Sequence, residues 1–209
     1  MRAVFYLACA ILLSMFCCSC EKTQGNETPD IPEQQWQKYP ELGELKIMSF
    51  NVRYGTAKES NPQNGWDFRK AACVEMIRDH KPTLIGFQEA VYDVQWQFFL
   101  KEFADEYDGF GVGRDDGAKK GETMGIMYRK DEIRKLEEGT FWLSPTPDVC
   151  SKATEWGAGH FRTATWGIFV YIATGEKFCY INTHLDHKSA EAQKEGLKLI
   201  VEKFKEYNP

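Results

Sequence analysis

Three strand-like runs in this sequence close on polar residues that break the pattern of the run. Asn51 ends LKIMSFN, Gln88-Glu89 ends TLIGFQE, and INTHLDH places Asn182, His184 and Asp186 at alternate positions. Alternate side chains of an extended segment share a face, and a polar face at the end of a buried strand is costly unless something uses it. Arg162 opens a further run of this kind, HFRTATW. The residue types suit one chemistry. Magnesium is a hard cation that keeps several waters and is held by one or two carboxylates together with substrate phosphate. Glu89 fits such a ligand, and Asn51 offers a neutral oxygen or a hydrogen bond beside it. Zinc asks for more His or Cys at ligand spacing, and the chain has only four histidines. Arg162 is a candidate fork for a phosphate. His184 is placed to donate to a phosphoryl oxygen as that oxygen gains charge.

Each residue also has an ordinary reading. Asn51 can be turn chemistry at a strand end, and Glu89 can cap the amino terminus of a following helix. His184 can be a satisfied core histidine, and Asp186 and His187 can be solvated residues ahead of Ser189. The chemical reading gains weight because all of them fall at strand ends that can converge on one cleft.

The elements that must position them follow from periodicity. Leu45–Val52 alternates well enough for a strand. A helix is expected over Trp66–His80, with Cys73, Met76 and Ile77 on one face and Pro82 beyond its end. Thr83–Gln88 suits a buried strand, and Trp96, Phe99, Leu100 and Phe103 define the apolar face of a second helix. The pattern then turns β-rich over 107–112, 123–129, 133–143, 162–173 and 177–184. Thr174-Gly175-Glu176 marks a hairpin between the last two. Ser189 is placed to cap a final helix whose predicted face is Leu197, Ile200, Val201 and Phe204. The segment GRDDGAKKG, residues 113–121, reads as a loop at the cleft rim whose charges can simply be solvated.

The amino terminus has a different texture. One Arg is followed by about fourteen nearly apolar residues, too few to span a bilayer. The run closes on Cys17-Cys18-Ser19-Cys20, a pattern like a bacterial lipobox. We therefore expect a lipoprotein signal peptide over residues 1–19, acylation at Cys20 and a flexible tether over residues 20–43, whose stretch 21–43 holds three prolines. The alternative is an ordinary cleaved signal peptide. Without residues 1–19 the chain keeps 25 basic and 31 acidic residues, a net charge of −6. That sign argues against a protein that clings broadly to nucleic acid, although a nuclease needs only a suitable local potential. Cys73, Cys150 and Cys179 are odd in number and widely spaced, so free thiols are expected rather than disulfides.

The segments LKIMSFNVRYG, PTLIGFQEA, GETMGIMYRK, HFRTATW and FCYINTHLDH, in this order, resemble the endonuclease/exonuclease/phosphatase superfamily. The resemblance runs from about Leu45 to the last helix. It implies an α/β fold, a four-layer α/β/β/α sandwich of two packed, mainly antiparallel sheets flanked by helices, over residues 44–209. It implies Glu89 as the main ligand of Mg2+, or Mn2+ in its place, with Asn51 supporting metal and phosphate. It also implies His184 and Asn182 in catalysis at the scissile phosphate, and Arg162 on a phosphate. Asp186 and His187 look like a subgroup feature without an assigned role.

That family's activity also needs a Gly-Asp-x-Asn segment and a later Asp-His pair. Neither follows Tyr207, where only Asn208 and Pro209 remain. The sequence therefore reads as lacking the C-terminal strands of the fold. The expected function is metal-dependent hydrolysis of a phosphoester, diester or monoester, inactive as this chain alone. The alternative is a non-catalytic surface lipoprotein that binds a phosphorylated or carbohydrate ligand, for which Trp142, Trp156 and Trp166 are candidate platform residues. Expected partners are a phosphorylated small molecule, a phospholipid headgroup or extracellular nucleic acid, and a membrane reached through the lipid anchor. A monomer exported to the periplasmic side or the cell surface is the expectation.

Overall fold

The computed structural model describes residues 45–207. The signal peptide, Cys20 and the tether therefore lie outside the described residues. A strand β1 (Ile47–Asn51) leads through a 3-10 turn, Pro62–Asn64, to helix α1 (Trp66–His80), which returns to strand β2 (Leu84–Gln88). β1 and β2 pair in parallel, with Ile47 opposite Leu84 and Asn51 opposite Gln88. The helix begins at Gly65 with Asp67 in its first turn and ends with Arg78 and His80 in its last turn, each charge matching the helix dipole. Lys81 closes it in the left-handed region with its N–H on Ile77, and Pro82 follows. Its buried face is Trp66, Cys73, Val74 and Ile77, whereas Met76 points outward.

After β2 come a short strand β3 (Ala90–Val91), a π-helical turn Tyr92–Trp96 and helix α2 (Gln97–Glu102). The expected apolar face is present, on a continuous helical stretch whose first turn is π-helical. β4 (Tyr107–Phe110), β5 (Glu122–Thr123) and β6 (Ile126–Arg129) follow. The single strand expected over 123–129 is split at Met124-Gly125, where Gly125 lies directly against the Trp96 ring and a Cβ has no room. The first sheet runs β1-β2-β6-β4, and β3 pairs only with β5. β7 (Ile133–Trp142), β8 (Thr163–Tyr171) and β9 (Lys177–Thr183) form a second, antiparallel sheet. The β8–β9 hairpin turns at Gly175, at φ 75°. Helix α3 (Ala190–Tyr207) is capped by Ser189, whose Oγ accepts from the Ala192 N–H at 3.1 Å.

Strand alternation builds the layers. On β2, Ile85 and Phe87 point to a core shared with Val74, Ile77, Trp96 and Phe99 of the helices and the turn before α2. Leu84 points the other way, to a core with Ile126, Tyr128, Phe169 and Tyr180 between the two sheets. Beyond the second sheet, Phe141, Leu143 and Ala164 pack on Ile200 of α3. The result is the four-layer α/β/β/α sandwich. The face of α3 differs from expectation. Ala192, Gly196 and Ile200 are its buried residues and Val201 is exposed, because the helix approaches the sheet along its small residues.

Candidate active site

Glu89 sits one residue beyond β2 at φ 61°, in the left-handed region. That conformation is uncommon for a residue with a side chain and tends to occur at functional positions. It turns the carboxylate out of the sheet and into contact with the β1 end. Asn51 Nδ2 donates to Glu89 Oε1 at 2.8 Å, and the Tyr54 N–H donates to Oε2 at 2.8 Å. Asn51 Oδ1 accepts the Arg53 N–H at 2.8 Å. Arg53 is itself left-handed, at φ 56°, which sharpens the turn that carries these groups. Burial pushes the Glu89 pKa up, but the Asn51 and Tyr54 hydrogen bonds and the nearby His184 and Arg162 outweigh it. The carboxyl is held below its ordinary range. The helix-cap reading of Glu89 does not apply, because β3 rather than a helix follows it.

Two residues that the sequence did not single out hold this turn from below. Gln95 is fully buried. Its Oε1 accepts the N–H groups of Gly55 and Val91, and its Nε2 donates to the carbonyl of Arg53 at 2.9 Å. Arg69 of α1 donates to the carbonyls of Asn64, Val52 and Arg53. The contacts that tie them to the turn after β1 have no local sequence signature, since they bridge 16 to 42 residues.

The INTHLDH segment does not behave as one alternating face. β9 ends at Thr183, so only Asn182 lies within the strand. Asn182 is buried between the sheets, and its amide is satisfied internally. Nδ2 donates to the carbonyls of Phe87 and Gly125, and Oδ1 accepts from Gln88 Nε2 at 2.8 Å. Its place is thus as a clamp between the sheets, beneath the cleft. His184 follows the strand end. Burial first, and then the Arg162 charge, push its pKa down to about 4, against the pull of Glu89. The ring is therefore neutral at ordinary pH.

Arg162 is only 5 % exposed. Its Nη2 meets His187 Nδ1 at 3.0 Å, and its Nε lies 3.7 Å from Asp186 Oδ2. Asp186 is far from solvated. It accepts the N–H groups of Gly159 and His160 on one loop and of Lys188 and Ser189 on another. Burial works against its ionised form, but these four donors outweigh it and hold the carboxyl at about 2.

The rim segment 113–121 differs from a solvated loop. Gly113 bridges both Ala118 and Thr123, and Asp116 Oδ1 accepts the N–H groups of Ala118 and Lys120. Arg114 is buried and donates from Nη1 to Glu122 Oε2 at 2.8 Å. Burial raises the Glu122 pKa, Arg114 and Arg162 oppose it, and Glu89 adds to it.

The buried polar side-chain atoms without a partner among the described residues are Arg114 Nε, Thr123 Oγ1, Arg162 Nε and Nη1, Thr163 Oγ1 and His184 Nδ1. Topology gathers them. Thr123 pairs with Ala90, next to Glu89, and bridges Gly113, next to Arg114. Thr163 follows Arg162 on the β8 end that faces the end of β9. A buried polar group left without a partner costs about 1–3 kcal/mol, so these atoms stand at a cost unless a further group meets them. The residues also fit a single hard cation. Glu89 offers an ionised carboxylate whose oxygens each carry one donor, with Asn51 alongside. Among the described residues no three His, Cys, Asp or Glu side chains cluster, so a cation there would have to draw its further ligands from water and substrate.

The candidate platform tryptophans pack inward. Trp142 is buried, Trp156 packs on the Ala153 cluster, and Trp166 stacks on Tyr207 at 3.9 Å. Cys73 and Cys179 are buried free thiols and Cys150 is a half-buried one. A shallow open cavity lined by Tyr128, Ile133, Lys135 and Ile172 lies at the far end of β8 from Arg162. No helix among the described residues is long and apolar enough to cross a membrane.

This combination of a two-sheet sandwich, a strand-end Asn–Glu pair and a donor-lined cleft defines a class. In fold and sequence the chain is similar to proteins of the endonuclease/exonuclease/phosphatase superfamily. It is similar to the endonuclease/exonuclease/phosphatase of Bacteroides vulgatus, at 40 % identity and a TM-score of 0.71, covering 78 % of this chain and 60 % of that one. It is also similar to an endonuclease/exonuclease/phosphatase family protein of Bacteroides thetaiotaomicron, at 38 % identity and 0.70, covering 78 % and 56 %. A mannosyl-6-phosphatase of the same species matches at 38 % identity and 0.70, covering 78 % and 60 %. The chain thus spans about three-fifths of the length of these relatives. No family model matches the sequence.

Proposed function

We propose that the protein is a hydrolase of phosphoesters that depends on a divalent cation, Mg2+ or Mn2+, held by Glu89 with Asn51 in support. The observation that carries this reading is the gathering of buried, unpartnered donors of Arg114, Arg162 and His184 beside an ionised carboxylate. When bound there, the cation supplies Lewis-acid stabilisation of charge on the phosphoryl oxygens. The residues do the rest. Asn51 and the Tyr54 N–H fix the Glu89 carboxylate. Arg162 offers two free N–H groups to phosphoryl oxygens. Neutral His184 donates a hydrogen bond where charge develops in the transition state. Asn182 holds the two sheets, and so the two halves of the cleft, in register.

The substrate favoured among those expected is a small phosphorylated molecule. A net charge of −5 does not favour broad nucleic-acid binding, and a relative at 38 % identity is a mannosyl-6-phosphatase. Export, acylation at Cys20 and attachment to a membrane complete the proposal, supported by the apolar run and the cysteines at the amino terminus. The test is the whole protein assayed on p-nitrophenyl phosphate and on its bis ester, with Mg2+ titrated by calorimetry. Glu89→Gln should lose Mg2+ binding and at least about a thousandfold in rate. A Glu89→Gln protein that turns over either ester at the parent rate would sink the reading.

A further inference from the structure

The Asp186-His187 pair has no part in the chemistry set out so far, yet it is what holds Arg162. A guanidinium has five donors and no acceptor. The 3.0 Å contact between Arg162 Nη2 and His187 Nδ1 therefore requires a bare lone pair on Nδ1, with the imidazole proton on Nε2. His187 itself is exposed and stacks on His160, ring centroids 5.4 Å apart. Asp186 sits on the other side of the same guanidinium and ties together the two loops that carry these rings, through Gly159, His160, Lys188 and Ser189. Arg162 is thus gripped at Nη2 and flanked at Nε, while Nη1 and Nε remain without hydrogen-bond partners in the buried interior.

We propose that His187 is a positioning residue for substrate binding: a hydrogen-bond acceptor that fixes the rotation of the Arg162 fork, so that its free Nη1 N–H groups face the phosphoryl oxygens. This rests on the reading of Arg162 as a phosphate contact. Bidentate recognition depends on the plane of the guanidinium, and a fork free to rotate gives up that geometry. The loss should appear in ground-state binding more than in turnover.

Two substitutions separate this role from packing. Asn at position 187 keeps an acceptor, its Oδ1, near the place of Nδ1 but gives up the stack on His160. Phe keeps a ring to stack but has no acceptor. In the whole protein, with inorganic phosphate as the probe of affinity, His187→Phe should raise KM and the phosphate inhibition constant about ten- to a hundredfold, as expected for one hydrogen bond to a charged group. Its kcat should change less than twofold to threefold. His187→Asn should stay within about threefold of the parent on all three quantities. The opposite pattern, with Phe tolerated and Asn impaired, would make His187 a packing residue and overturn the proposal, as would both variants being impaired or both unaffected. Arg162→Lys is the control for the underlying reading. If it leaves phosphate inhibition unchanged, Arg162 is not a phosphate contact. If it weakens inhibition while His187→Phe does not, only the positioning role fails.

Discussion

Asn51 and Glu89 are joined by a 2.8 Å hydrogen bond that exists because β1 and β2 pair in parallel and in one register. Asn51 lies opposite Gln88, so the next residue of β2, turned by its positive φ, brings its carboxylate to the Asn51 amide. A one-residue slip of β1 would send every side chain of the strand to the other face. The contact is therefore a product of the fold rather than of local sequence. Groups that orient a metal ligand commonly matter about 10–100-fold in metal affinity. Asn51→Ala should weaken Mg2+ binding by about that factor with little loss of stability, since Asn51 is exposed. Titration calorimetry on the parent and the variant decides it. An unchanged Mg2+ affinity would show that Tyr54 alone suffices to hold Glu89.

Asn182 should behave as a structural residue. Truncation to Ala leaves Gln88, the Phe87 carbonyl and the Gly125 carbonyl each short of a buried partner. At about 1–3 kcal/mol for a buried group left unsatisfied, the expected loss is about 3 kcal/mol in urea unfolding. Asn182→Asp should be at least as harmful, because it sets a carboxylate oxygen against two carbonyls. If Asn182→Ala unfolds at the parent midpoint while kcat collapses, the clamp is the wrong account and a direct catalytic role is the right one.

Close packing of the sheets gives a second stability test nearby. A Cβ on Gly86 would lie 2.5 Å from Tyr180 Oη and 2.7 Å from Asn182 Oδ1. Gly86→Ala must push β9 away from β2 and disturb the Asn182 clamp. Overpacking of this kind costs about 1–3 kcal/mol. The same shift should lower affinity for inorganic phosphate, since His184 is carried on the displaced strand end. A variant as stable as the parent would mean that the two sheets are less tightly apposed than described.

Much of this architecture was legible in the sequence, for identifiable reasons. Helix α1 has its bounds written locally, with Gly65 before it and Pro82 after it, and β2 is an unbroken apolar run between turn residues. The layers and the Asn51 and Glu89 strand ends follow from periodicity. The unreadable parts depend on distant partners. The break between β5 and β6 falls at Gly125, which packs against the distant Trp96 ring with no room for a Cβ. The burial of Arg114 depends on Glu122 across a turn, so within GRDDGAKKG it is Arg114 that departs from the solvated reading, whereas Asp116, Lys119 and Lys120 are exposed. Asp186 reads as a polar residue ahead of a helix cap, and only the fold supplies the Gly159 and His160 donors that bury it. On α3 the periodicity marked the large apolar residues, whereas Ala192 and Gly196 make the close approach.

Acid should destabilise the protein through His184. Its pKa falls from 6.5 unfolded to about 4 folded, so between those values the unfolded chain holds a proton that the folded one does not. Stability therefore rises with pH across that window, is flat above it, and is lost as pH falls from 6.5 towards 4. The ring is partly exposed, and after discounting for solvent screening the expected loss is about 1–2 kcal/mol. Urea midpoints for the parent and for His184→Gln, taken at half-unit steps from pH 7 to 4, test this. The variant should show the flatter curve. Parallel curves would mean that His184 is no more buried than in a peptide.

The Arg114–Glu122 pair makes the sharpest energetic case. Both side chains are 10 % exposed and meet at 2.8 Å, within electrostatic reach of Arg162. Removing one partner of a buried pair leaves the other charge uncompensated, at about 3–5 kcal/mol. Arg114→Met should therefore unfold far more easily than the parent. The double variant Arg114→Met, Glu122→Gln should recover part of that loss, because no lone charge remains inside. Recovery of stability need not bring back binding. If the unpartnered Nε of Arg114 serves an anion, the double variant folds yet holds inorganic phosphate more weakly than the parent. If it folds and binds phosphate equally well, Arg114 acts only as a counter-ion to Glu122, and Arg162 and His184 carry the anion without it.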